Sequence, residues 1–177
     1  MKHGSRTSPS SSCPTPANLA LSAGRSADRP ITELLPITAL AHGALLLDLM
    51  SRPAESGSIL LGPRGGDVIT LSVFDAGARC THSRYEPDHE AINRRMKEEW
   101  WPAGLEMKGF CHSHPDGVGR LSSGDLHYIQ RIFHAMPKLR WFAAPIVLPQ
   151  RFRINPFVVT RDPLVVHDVT LEVLDEI

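Results

Sequence analysis

Residues 111–125 read CHSHPDGVGRLSSGD, and the rest of the chain is best read outward from them. The preceding segment, EMKGFCHSH (106–114), reads as a strand leading into this stretch. Alternate side chains on a strand share a face. His112 and His114 therefore present two imidazoles side by side, while Cys111 and Ser113 point the other way. Pro115 has no N–H to donate and ends the strand. A DGVGR loop follows, and Ser122 to Asp125 then takes the S-x-x-D form of a helix start. Asp125 falls in the first helical turn, where the helix dipole favours a carboxylate. A loop that folds this turn back onto the strand end brings two nitrogens and one oxygen to one point.

Three N/O donors with an open fourth position suit a catalytic zinc ion, which lowers the pKa of a bound water to about 7. A base is then needed to take the proton of that water. Glu55, just ahead of the apolar run SILLG (58–62), is the candidate. Singly, each feature has a plainer explanation: a packed histidine, a helix cap, a solvated loop carboxylate. The combination points to metal chemistry.

Outward from this centre, SILLG and DVITLSVFD (67–75) read as strands joined by the Gly-rich turn GPRGGD, which suggests a hairpin. Upstream, Ile37, Leu40, Ala41, Ala44 and Leu45 have helical spacing. Pro36 suits a first helical position, and Pro53 disfavours continuation. AGARCTHSRYEPD (76–88) reads as a loop. DHEAINRRMKEEWW (88–101) reads as an amphipathic helix with Ile92, Met96 and Trp100 four residues apart. SGDLHYIQRIFHAM is helical, with Leu126, Ile129, Phe133 and Met136 on one face. RWFAAPIVL, FRINPFVV and PLVVHDVTLEVL are late extended stretches. This mixture suggests an α+β or three-layer α/β/α domain over 31–177, after a flexible Ser/Pro-rich tail over 1–30.

The chain has 177 residues, of which 42% are hydrophobic, enough for one domain with a core. Lys plus Arg and Asp plus Glu are 19 each, so the formal net charge is zero. That argues against broad electrostatic binding to nucleic acid or to an anionic membrane. Three scattered cysteines without a C-x-x-C point to a reducing compartment. No apolar run nears the roughly 18 residues of a membrane span, and MKHGSRTSPSSSCPTP lacks the apolar stretch of a secretory signal. A cytoplasmic protein is expected.

With Glu55 and its strand included, the sequence resembles the JAMM, or MPN-plus, metalloproteases of the JAB-domain family. The family pattern is a glutamate before a G-x-L-x-G-type strand, then H-x-H-P, six residues, S, two residues, D. This chain has Glu55 before SGSILLG, then His112-Ser113-His114-Pro115, DGVGRL, Ser122, SG and Asp125. The resemblance spans residues 31–160 and implies a three-layer α/β/α domain, a cytidine-deaminase-like mixed sheet flanked by helices. It implies that His112, His114 and Asp125 bind Zn2+, that Glu55 is the general base, and that Ser122 donates to the oxyanion. The compact form resembles bacterial JAB-domain proteins, which accompany ubiquitin-like proteins and E1-like and E2-like enzymes, antiphage defence systems included. The implied reaction is cleavage after the C-terminal glycine of a ubiquitin-like protein.

Two other functions compete. A noncatalytic MPN scaffold subunit would be marked by lost ligands, but all five positions are filled. A two-His, one-carboxylate iron oxygenase would need neither Glu55 nor Ser122. HEAIN (89–93) looks like a zinc helix but has Asn93 in place of the second histidine. His127 and His134 fit a solvated helix face. The loop 76–88 is a candidate partner contact on position alone.

Overall fold

The computed structural model describes residues 31–52 and 54–175. The segment 1–30, expected to be a tail, lies outside the described residues, as does Pro53. The centre of the domain is the antiparallel pair β2 (Gly57–Pro63) and β6 (Leu105–Ser113). Their side chains alternate between two cores, as the period of a strand requires. Ile59, Leu61 and Phe110 enter one cluster with Ile92, Met96, Trp100, Ile129, Phe133 and Phe142. Leu60 and Cys111 enter the other, with Leu35, Ala41, Leu45 and Leu49. Fully burying side chains of this size stabilises by about 1.5–3 kcal/mol each, so both faces of the sheet are covered for a physical reason.

Helix α1 (Ala39–Leu49) covers one face. α2 (His89–Arg95), continued by a π-helical turn Met96–Trp100, and α3 (Ser123–Ala135) cover the other. The result is the expected three-layer α/β/α arrangement. Eight strands among the described residues form the main sheet. β3 (Leu71–Phe74) pairs with β2 as the expected hairpin. On its other side β6 runs parallel to β7 (Trp141–Ala143) and β8 (Ile146–Leu148), so the sheet is mixed. β9 (Arg153–Asn155) pairs with β8, β10 (Phe157–Thr160) with β7, and β11 (Val165–Asp168) with β10. No helix among the described residues is long and apolar enough to cross a membrane.

Several elements differ from the sequence reading. Pro36 does not open a helix: Leu34–Thr38 is strand β1, parallel to β12 (Thr170–Leu174). α1 starts at Ala39, and the Thr38 hydroxyl caps it by accepting from the N–H of Ala41. A strand and a helix abut at Thr38, so Ile37 matched the helical spacing although it belongs to the strand. The segment read as a loop holds a hairpin, β4 (Arg79–Thr81) and β5 (Arg84–Glu86). Each of the three late extended stretches divides into two short strands. Pro145 and Pro156 stand at two of the breaks, where a missing N–H interrupts a ladder.

Candidate metal and catalytic site

The site sits at the end of β6, on the face covered by α2 and α3. His112 and His114 are both buried, and Ser113 between them turns the other way to accept from the N–H of Ser56 at 3.1 Å. The Ser113 N–H in turn donates to the Ser56 carbonyl at 2.8 Å. This double link fixes the chain next to Glu55 against the strand that carries the histidines. His114 N–H donates to the carbonyl of Val147 at 2.8 Å, which anchors the strand end on its other side.

The two imidazoles meet edge to face, with their Nε2 atoms 2.9 Å apart. His112 Nε2 is 3.3 Å from Asp125 Oδ1. Asp125 is held by a capping box. Its amide donates to Ser122 Oγ at 3.1 Å, and its Oδ2 accepts from the Ser122 amide at 2.6 Å. The loop that returns α3 to the strand turns at Gly117, whose φ of +81° suits a residue without a Cβ. Gly117 N–H donates to the His114 carbonyl at 3.0 Å, and Asn155 Nδ2 holds the Gly119 carbonyl at 2.7 Å.

His112, His114 and Asp125 offer ligand atoms that all lie within 4.8 Å of one another. The chemistry of these donors fits a metal ion. His114 Nδ1 lies 2.6 Å from the Val118 carbonyl, which can only accept, so Nδ1 carries the proton and Nε2 presents a lone pair. Burial, with His112 adding to it, lowers the pKa of His114, against the opposing pull of Val118, Asp125 and Asp116. The neutral form a metal needs is thereby favoured. Burial pushes the Asp125 carboxyl up. The hydrogen bond and charge of His112 and the two bonds with Ser122 outweigh it and hold the group well below the usual carboxylate range.

Glu55 opens onto the same cleft of about 1160 Å³, whose walls also include Tyr85, His112, His114, Ser122 and Asp125. Its N–H donates to the Thr81 carbonyl at 2.9 Å, which ties it to the β4–β5 hairpin. Burial raises the Glu55 pKa, as do Asp125 and Asp116, while His112 and the Tyr85 N–H oppose the rise. The half-buried carboxylate is thus a stronger base than one in water. The structure brings all five sequence-predicted residues to one cleft. Ser122 is exposed at the mouth, and its hydroxyl proton stays available while its oxygen accepts from Asp125.

Sequence reasoning missed Tyr85, on β5 at the cleft wall, and Asp75, directly after β3, which accepts from the Tyr85 hydroxyl. The available signal was RCTHSRYE, two short alternating runs about a polar turn. The discounted histidines are not among the clustered ligand atoms, although His89 and His127 also line the cleft. His89 sits at the start of α2, 3.3 Å from the Tyr128 hydroxyl, and His127 and His134 are exposed.

A model of the family described as prokaryotic homologs of the JAB domain matches residues 42–155. Among curated proteins no match was found. A protein of Desulfitobacterium hafniense, solved in solution, shares the fold with a TM-score of 0.58 and 19% identity, over 81% of this chain and 95% of that one. A JAB1/MPN domain protein of Archaeoglobus fulgidus aligns with a TM-score of 0.42 and 17% identity, over 77% of this chain and 97% of that one.

Proposed function

Because the chain belongs to the family of prokaryotic JAB-domain homologs, we propose that it is a zinc-dependent isopeptidase or peptidase. In this reading it cuts the bond after the C-terminal glycine of a ubiquitin-like protein, in a conjugate or a precursor. The observation that carries the proposal is the meeting of Glu55 with the His112–His114–Asp125 cluster in one cleft, since a scaffold needs no base beside its ligand set.

Zinc held by His112, His114 and Asp125 would polarise the scissile carbonyl and make a water acidic enough to attack near neutral pH. Glu55 takes the proton of the attacking water and delivers it to the departing amine. Its pKa, raised by burial, suits both halves of that task. The Ser122 hydroxyl donates to the oxygen that gains negative charge as the tetrahedral intermediate forms. The capping box holds Ser122 and Asp125 in one rigid turn, so donor and ligand keep a fixed spacing. E1-like and E2-like proteins of a bacterial antiviral conjugation system, in the cytoplasm, are the proposed companions.

The test is incubation of the zinc-loaded protein with ubiquitin-like proteins bearing short C-terminal extensions, followed by mass measurement of the released fragments. Release of the extension after the glycine, abolished by a chelator and restored by zinc, is the expected result. Intact substrates across a broad panel, with zinc bound, would leave the scaffold reading in its place.

A further inference from the structure

We propose that Tyr85 is a positioning residue for His112, and that Gly57 is glycine so that the phenol ring can take this place. The inference rests on the reading of His112 as a metal ligand. In the β2–β6 ladder, Gly57 stands directly opposite His112. A Cβ on Gly57 would lie 2.3 Å from Tyr85 Cζ and 2.5 Å from its Cε1. The tyrosine ring therefore occupies the space that a side chain at position 57 would fill. From there it lies nearly parallel to the His112 imidazole, at 16° with 6.3 Å between centroids.

The ring is itself held. Its hydroxyl donates to Asp75 Oδ2 at 2.9 Å. Asp75 is buried, and its Oδ2 also accepts from the Asp88 amide at 3.0 Å while its own amide donates to the Gly57 carbonyl at 3.0 Å. Gly57 is the floor and Asp75 the clamp. The two histidines differ in what supports them. His114 has its Nδ1 fixed by the Val118 carbonyl. Among the described residues the His112 imidazole bonds only through Nε2, the atom that faces the metal cluster. Metal-binding histidines are ordinarily oriented by a partner on their other nitrogen. For His112 the flat face of Tyr85 does this work by packing.

Titration of the full-length protein with Co2+, followed by its visible absorption, reads affinity and ligand geometry without reference to hydrolysis. Tyr85→Phe keeps the ring, and its dissociation constant should stay within about 3-fold of wild type with the same band shape. Tyr85→Leu removes the flat face. Gly57→Ala pushes the ring off its floor without substituting any cleft side chain, and it decides the matter if Tyr85→Leu does not fold. Both should bind Co2+ about 10–100-fold more weakly, the range for residues that support a metal ligand, with an altered band. Wild-type affinity in Tyr85→Leu or Gly57→Ala, or a loss in Tyr85→Phe as large as in Tyr85→Leu, would overturn the inference alone. A wild-type protein that takes up no Co2+ would overturn it together with the metal reading.

Discussion

His114 donates from Nδ1 to the carbonyl of Val118 at 2.6 Å, and this one bond decides which face of its ring is turned to the site. With the proton on Nδ1, Nε2 meets His112 Nε2 at 2.9 Å as a bare acceptor. His114→Ala should weaken zinc binding by more than about 100-fold, beyond the 10–100-fold range for residues that only support a ligand. Calorimetric titration of the metal-free protein checks this, and undiminished affinity would remove His114 from the ligand set.

In the proposed mechanism Glu55 has a role separate from that of the three ligands. Glu55→Ala should keep zinc at wild-type stoichiometry and lose about 10²–10⁴-fold in turnover, the range of general acid–base catalysis. Metal analysis alongside a cleavage assay tests both halves. Cleavage at the wild-type rate would show that the proton goes elsewhere.

Ser122 serves the helix and the proposed reaction through different atoms. Its oxygen accepts from the Asp125 amide, and its proton remains free to donate. Ser122→Ala should cost about 1 kcal/mol of stability through the lost cap, and about 10²–10³ in turnover through the lost oxyanion donor. Chemical denaturation and kinetics on the same variant separate the two. A stability loss with unchanged turnover would leave Ser122 as a cap only.

The metal-free protein should be acid-sensitive through Asp125. Its folded pKa lies below the unfolded value of about 3.9. Such a group stabilises the folded state above the unfolded pKa, and the contribution drains away as pH falls through that value towards the folded one. Urea midpoints measured in chelator from pH 6 down to pH 3 should fall more steeply below about pH 4 for wild type than for Asp125→Asn. Equal slopes would contradict an ionised, bonded aspartate.

Gly109 marks where the sheet is tightest. A Cβ there would lie 1.9 Å from the Ala143 carbonyl oxygen, across the β6–β7 pairing. Backbone must move to relieve that contact. Gly109→Ala should destabilise by about 2 kcal/mol or more, within or above the usual range for overpacking, as read from the denaturation midpoint. An unchanged midpoint would mean that the pairing is looser than the structure has it.

The central strands and the site were legible because their signals are local. The apolar run SILLG, the H-x-H spacing after GFC, the S-x-x-D cap and the proline after H-x-H each act within a few residues. What escaped depends on partners far along the chain. β1 is a strand because β12 pairs with it from the opposite end of the sequence, so Leu34–Thr38 carries no sign of its own that outweighs the adjoining helical spacing. The β4–β5 hairpin is short, and its β4 strand is exposed throughout, so the brief alternation in RCT and RYE does not stand out from a polar loop. Tyr85 was invisible for the same reason: its meaning comes from Gly57 and Asp75, not from its neighbours in sequence.

The ladder between β2 and β6 shifts register once, between Leu60 and Leu61, so that Gly57 faces His112 and Leu61 faces Met107. If β2 slid by a single position, its side chains would swap sides of the sheet, and the segment carrying Glu55 would come away from the imidazoles. In the proposed hydrolase, a chain that pairs these strands wrongly would therefore lack the base beside its ligand set. The pairing of β2 with β6 thus ties the proposed chemistry to one correct register of two central strands.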